Sequence, residues 1–138
     1  MLDRLNPNEQ KALMELLLYL AKTDGTVDDI EGAVLQQYAD LVHVDFDTLE
    51  GDLSPDELVP QFESPATKVA VLQELFRLSH MNGAFTISEQ SAILEVGAQM
   101  GMPMALLRKI EAWVLDDLRL TVRAEELTEE AERLFQRI

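Results

Sequence analysis

A chain of 138 residues and 15.6 kDa is the size of one domain, and its 47% apolar and 27% charged residues mark it as globular. The absence of cysteine excludes a disulfide framework, thiolate zinc sites, iron–sulfur clusters and a cysteine nucleophile. Twenty-six acidic residues against 11 basic ones leave a net charge of −15, which argues against sequence-independent binding to nucleic acid.

Almost every segment reads as helix, and the proline positions mark the starts. Asn6-Pro7-Asn8-Glu9 carries a capping residue, proline at the first helical position and a glutamate three residues after the cap. The helix behind it should run to about Lys22. Leu13, Leu17, Leu20 and Ala21 set its period, and Met14, Leu16 and Leu18 widen its apolar surface, which places it centrally in the fold. A second helix is expected from Asp28 to about Val42, with Val34, Leu35, Tyr38, Leu41 and Val42 as its inward stripe. Residues 43–64 are broken by Gly51, Pro55 and Pro60 and allow only short turns of helix, with a start signal at Ser54-Pro55-Asp56-Glu57. Ser64-Pro65 opens a long helix to about Met81, apolar on several sides. Another runs from Ile87 to Met100 and is stopped by Gly101. Pro103 opens the next, with Leu107, Ile110, Trp113, Val114 and Leu118 facing inward. Leu127, Ala131, Leu134, Phe135 and Ile138 form one more stripe. The β-branched pair Thr121-Val122 leaves open whether that stripe continues the preceding helix.

The N-terminus lacks a basic region and a cleavage site, and the longest apolar run, Leu16 to Ala21, is far below the ~20 residues of a membrane span. A cytoplasmic protein without membrane insertion is expected, with peripheral association left open.

Shifted by 58 positions, the chain matches itself without a gap. Ala12 falls on Ala70, Leu17 on Leu75, Leu20 on Leu78, Gly25 on Gly83, Glu31 on Glu89, Leu35 on Ile93, Val44 on Met102 and Leu49 on Leu107. The expected fold is therefore a compact all-α bundle over residues 1–138. It consists of two pseudo-repeated helix-loop-helix units, about 12–49 and 70–107, and a C-terminal helix.

Two loops carry the repeat's chemistry: Asp24-Gly25-Thr26-Val27-Asp28-Asp29-Ile30-Glu31 and Asn82-Gly83-Ala84-Phe85-Thr86-Ile87-Ser88-Glu89. An oxygen-bearing side chain before glycine and a glutamate seven residues on is the spacing of the second half of an EF-hand loop. The first half fails, because the earlier ligand positions hold Leu20 and Lys22, then Leu78 and His80. Asp28-x-x-Glu31 and Thr86-x-x-Glu89 also read as capping boxes, which engage the glutamates without any metal. The candidate ligands for a divalent cation such as calcium or magnesium are Asp24, Asp28, Glu31, Asn82 and Glu89. The first loop, which also holds Asp29, is the stronger of the two.

The phrase Leu20-Ala21-Lys22-Thr23-Asp24-Gly25-Thr26-Val27 with Glu31, followed by a helix ending near Val42, resembles the TerB-like domains. The second copy, Ser79 to Glu89, resembles the same pattern with Asn82 in place of the aspartate. The resemblance covers about residues 10–118. It implies a small acidic helical protein of bacterial type, without enzymatic activity, linked to tellurite resistance or stress response or to membrane-associated complexes. It also points to divalent cations at Asp24 and Glu31 and, more weakly, at Asn82 and Glu89. A related domain precedes the J-domain of a co-chaperone, but no J-domain signature occurs in this chain.

Other constellations carry less. His43 and His80 have no partner at metal spacing, although His80 with Asn82 and Glu89 forms a weak candidate set. Met81, Met100, Met102 and Met104 read as core and turn packing, and Trp113 reads as core. Nothing resembles a phosphate-binding glycine loop or a serine nucleophile motif, so no enzyme is expected.

Charge singles out one surface. Residues 23–67 hold 12 acidic residues and no lysine or arginine, while the matching span 81–125 balances six acids with four bases. Repulsion on that scale is not demanded by the architecture. Asp45, Asp47, Asp52 and Asp56 are the expected core of a surface for a protein partner with a basic face. The alternative is a divalent-cation-binding protein that uses the two glycine loops.

Overall fold

A computed structural model of the protein describes residues 5–24, 27, 29–81 and 86–136. Their regular structure is all helix, with no strand among them: α1 Pro7–Ala21, α2 Asp29–Val42, α3 Pro55–Leu58, α4 Pro65–Met81, α5 Ile87–Gln99 and α6 Met104–Gln136. Three 3-10 turns, Lys22–Asp24, Phe46–Thr48 and Val59–Gln61, lie in the connections. No described helix is long and apolar enough to cross a membrane.

The helix starts follow from local chemistry. At α1 the Glu9 N–H donates to Asn6 Oδ1 at 2.8 Å and the Asn6 N–H donates to Glu9 Oε1 at 3.0 Å. Two otherwise unpaired amides are thereby satisfied, and Pro7 supplies a helical φ at no hydrogen-bonding cost. Ser64 Oγ accepts from the Thr67 N–H at 3.1 Å at the head of α4, and Thr86 Oγ1 accepts from the Glu89 N–H at 3.1 Å at the head of α5. The ends of α2 and α5 are built alike. His43 (φ 60°) and Gly101 (φ 76°) take the left-handed conformation. The next residue closes each end, Val44 donating to the Ala39 carbonyl and Met102 to the Gly97 carbonyl, both at 2.9 Å.

α1 is the central helix and touches α2, α3, α4 and α5. Leu13, Met14, Leu16 and Leu17 are fully buried, and with Ala12, Leu18, Leu20 and Ala21 they withdraw most of its circumference from water. Each such leucine or methionine contributes about 1.5–3 kcal/mol by burial. α4 lies between α1 and α6 and buries Val71, Leu72, Leu75, Phe76 and Leu78. Gly97 lets α5 approach α6, because a Cβ there would stand 2.7 Å from both methyl groups of Leu107.

Two readings of the sequence are corrected. Trp113 is half exposed, because Leu107, Ile110 and Val114 take the α6 face toward α4 and Trp113 falls on the flank. Leu41 is likewise exposed, as Leu35, Tyr38, Ala39 and Val42 define the inward face of α2. Leu118 does face inward, partly buried and packed against the core. Thr121-Val122 does not interrupt α6, which runs 33 residues, but the stripe through Leu127, Ala131, Leu134 and Phe135 meets none of the core.

Candidate functional site

The long connection between α2 and α4 carries seven of the 12 acidic residues of the base-free span 23–67, and it is anchored rather than loose. α1 holds one carboxylate inside its leucine run, Glu15, which is buried. Its two oxygens accept from consecutive amides of the connection: Oε2 from the Glu50 N–H and Oε1 from the Gly51 N–H, both at 3.0 Å. A charged acceptor bound to two amides is a strong local clamp. Lys22 Nζ donates to the Gly51 carbonyl at 3.2 Å from the other side. Glycine is favoured here, since φ is +78°, a left-handed conformation that would strain a side chain. Val44, Phe46, Leu49 and Leu53 pack their side chains onto the core. The apolar side chains of the connection thus point in, and Asp45, Asp47, Asp52 and Asp56 are exposed, with Glu50 and Glu57 beside them in sequence.

None of these four aspartates is ion-paired among the described residues. Asp45 accepts from the Asp47 N–H at 3.0 Å, a local turn bond that leaves its charge in place. The lysines that bracket the base-free span face carbonyls instead, Lys22 that of Gly51 and Lys68 that of Met100 at 3.3 Å. The acidic field reaches Tyr19, whose phenol pKa is raised by partial burial and further by the charges of Glu95 and Asp56.

A second feature is a groove of about 320 Å³ between α2 and α4. Val34, Leu41 and Met81 form apolar walls, and Tyr38, Glu74 and Arg77 supply the polar groups. Tyr38 donates to Glu74 Oε2 at 2.6 Å. Arg77 lies 3.7 Å from the same oxygen, donates to Asp117 Oδ2 at 2.6 Å and sits 5.9 Å from the centre of the Trp113 ring. Burial raises the Tyr38 pKa far above the ordinary phenol range, and the charge of Glu74 and the hydrogen bond to it add to the effect. The network ties α2, α4 and α6 together. It offers no activated nucleophile: the phenol is held protonated and the carboxylate is already bound on two sides.

The proposed ligands of the glycine loops are only partly visible. Asp24 closes a 3-10 turn. Its side chain, and all of Asp28 and Asn82, lie outside the described residues. Glu31 borders a cavity of about 250 Å³ lined by Ile30, Val34, Leu78 and Met81, an apolar setting for a carboxylate. Glu89 is buried, and Thr86 Oγ1 lies 3.3 Å from its Oε1. His80 Nε2 stands 3.0 Å from Glu111 Oε2 on α6, a partner that the sequence did not suggest. Among the described residues no three His, Cys, Asp or Glu side chains are grouped to hold a metal ion.

Sequence reading missed Glu15 and the Tyr38–Glu74–Arg77–Asp117 network. Glu15 had a visible signal: it is the one charged residue between Ala12 and Ala21, an otherwise largely apolar run. Glu74 carried the same signal more faintly. No family model matches the chain, and neither a curated protein nor a solved structure matches it, so the TerB-like resemblance stands on its own motif.

Proposed function

We propose that this protein is a non-enzymatic interaction module of the TerB-like type, serving a stress response, and that it captures a cationic protein segment on the surface formed by Asp45, Asp47, Asp52 and Asp56. The observation that carries this reading is the anchoring of the acidic connection by Glu15 through the Glu50 and Gly51 amides. Unneutralised carboxylates are common on loose, solvated loops. Here they stand on a backbone held at both faces, so a partner meets a preformed field and does not have to order it first.

The agreement of the two halves supports the pseudo-repeat that underlies the resemblance. α1 begins at Pro7 and α4 at Pro65, and α2 begins at Asp29 and α5 at Ile87, in each case 58 positions apart. The left-handed residues His43 and Gly101, and the closing bonds from Val44 and Met102, keep the same offset. The first copy differs from the second chiefly in its charge, which is where a binding role would be written.

The test is a pull-down from cell extract with the immobilised protein and with a variant carrying Asp45→Asn, Asp47→Asn, Asp52→Asn and Asp56→Asn. Asparagine keeps the shape and removes the charge. Partners rich in lysine and arginine should bind the unchanged protein at low salt. They should be lost both from the variant and when salt is raised. Partners that survive both changes would place capture on the apolar groove and refute the reading.

A further inference from the structure

Beyond Leu118, α6 extends for 18 residues, about 27 Å at the helical rise, and every one of them is exposed. Its own surface charges largely cancel as helix support: Arg119 and Arg123, Glu125 and Glu129, and Glu126 and Glu130 are like charges one turn apart, while Glu129 with Arg133, Arg123 with Glu126 and Glu130 with Arg133 are opposite ones. Five of the exposed apolar residues, however, keep strict time, with Val122 and Phe135 off the repeat. Leu106, Trp113, Leu120, Leu127 and Leu134 recur every seven residues, and Leu120, Leu127 and Leu134 are 63%, 67% and 58% exposed. Ala124 and Ala131 fall four residues after Leu120 and Leu127. An alternation of four and three is the seam of a left-handed coiled coil, not the period of a helix lying on a globular core.

We infer that this segment of α6 forms an antiparallel two-stranded coiled coil with a second copy of the chain. Side-chain volume fixes the orientation. In a parallel pair, alanine would face alanine and leucine would face leucine, so the layers would alternate between void and excess. In the antiparallel pair each leucine faces an alanine: Leu120 meets the partner's Ala131, Leu127 meets the partner's Ala124, and symmetry repeats both layers. The four layers between Leu120 and Ala131 then each hold one large and one small side chain, which is how close packing is reached, and Leu134 lies beyond them, level with the partner's Asp117.

Charge fixes the register. In this alignment Arg123 flanks the seam opposite the partner's Glu130, and the pair occurs twice. A slip of one heptad in one direction sets Arg123 against the partner's Arg123, and in the other direction sets Glu130 against the partner's Glu130. The parallel pairing sets Arg123 beside the partner's Thr128 and forms no ion pair. The partner is a second copy rather than a basic protein because this segment is not part of the acidic surface. Residues 119–136 hold three arginines and five glutamates, against 12 acids and no base in residues 23–67. The seam ends where Asp117 turns to Arg77, so pairing leaves the domain body intact and carries two acidic surfaces on one particle.

Sedimentation equilibrium on the full chain reads the mass. The unchanged protein should approach twice 15.6 kDa as its concentration rises, and Leu120→Lys with Leu127→Lys should hold it at one chain mass with its helical domain intact. Arg123→Glu should raise the dissociation constant by about tenfold or more, and adding Glu130→Arg should restore it to within about threefold. The chain has no cysteine, so single cysteines report orientation cleanly. Leu120→Cys mixed with Ala131→Cys should cross-link on oxidation, and neither variant should do so alone. A single chain mass at every concentration, or cross-linking of each cysteine variant with itself as readily as in the mixture, would overturn the proposal.

Discussion

The Tyr38 hydroxyl shows how one buried polar contact links stability to pH. Its donation to Glu74 at 2.6 Å holds α2 on α4. Burial, then the charge of Glu74, raises its folded pKa above the ordinary value of 10.0. Below pH 10 both folded and unfolded chains keep the phenol proton, and the contribution is fully present. Above it the unfolded chain loses a proton that the folded chain retains, so stability falls as pH rises. Tyr38→Phe should cost about 1–2 kcal/mol at neutral pH and flatten the alkaline decline seen in urea unfolding. An unchanged alkaline limb would mean that Tyr38 does not contribute it. His43 gives a prediction of opposite sign. It is a non-glycine residue at φ 60°, in the place where α5 uses Gly101. His43→Gly should raise stability by about 1 kcal/mol in thermal unfolding, because the left-handed strain outweighs the added chain entropy. Neither effect was legible beforehand. Helical periodicity identified Tyr38 as inward-facing but not its acceptor 36 residues away, and histidine gives no warning of a left-handed backbone.

Local signals at the element scale read well wherever they are self-contained. Asn6-Pro7 with Glu9, Ser64-Pro65 and Thr86 with Glu89 all cap where their spacing indicates, since a cap needs only its own turn. Faces read less well. Trp113 and Leu41 border wide apolar stripes, and a period of 3.6 does not say which edge of such a stripe the neighbouring helices will cover. The connection between α2 and α4 was recognised as broken and acidic. Its anchoring was not, because the clamp joins Glu15 to amides 35 and 36 residues away. Glu15→Ala should cost about 2–3 kcal/mol by orphaning those two amides. It should also speed hydrogen exchange at Glu50 and Gly51 more than at the α1 amides around it. Exchange that rises uniformly along the chain would show global destabilisation and remove the anchor from the account.

Among the described residues the molecule is a central apolar helix, α1, packed against α2, α3, α4 and α5, with nearly half of its excess charge on one connection and a long apolar-striped helix, α6, leaving the body from α4. The all-helical architecture was legible because leucine periodicity and helix caps are sequence properties. The candidate surface was legible as composition but not as geometry, since a count of carboxylates does not say whether the backbone beneath them is held. The most direct measurement is a backbone NMR titration with a lysine-rich peptide at low and at high salt. Shift changes should gather in residues 43–58 and vanish both at high salt and in the variant with Asp45, Asp47, Asp52 and Asp56 changed to asparagine. Changes centred on Val34, Leu41 and Met81 that persist at high salt would contradict the account.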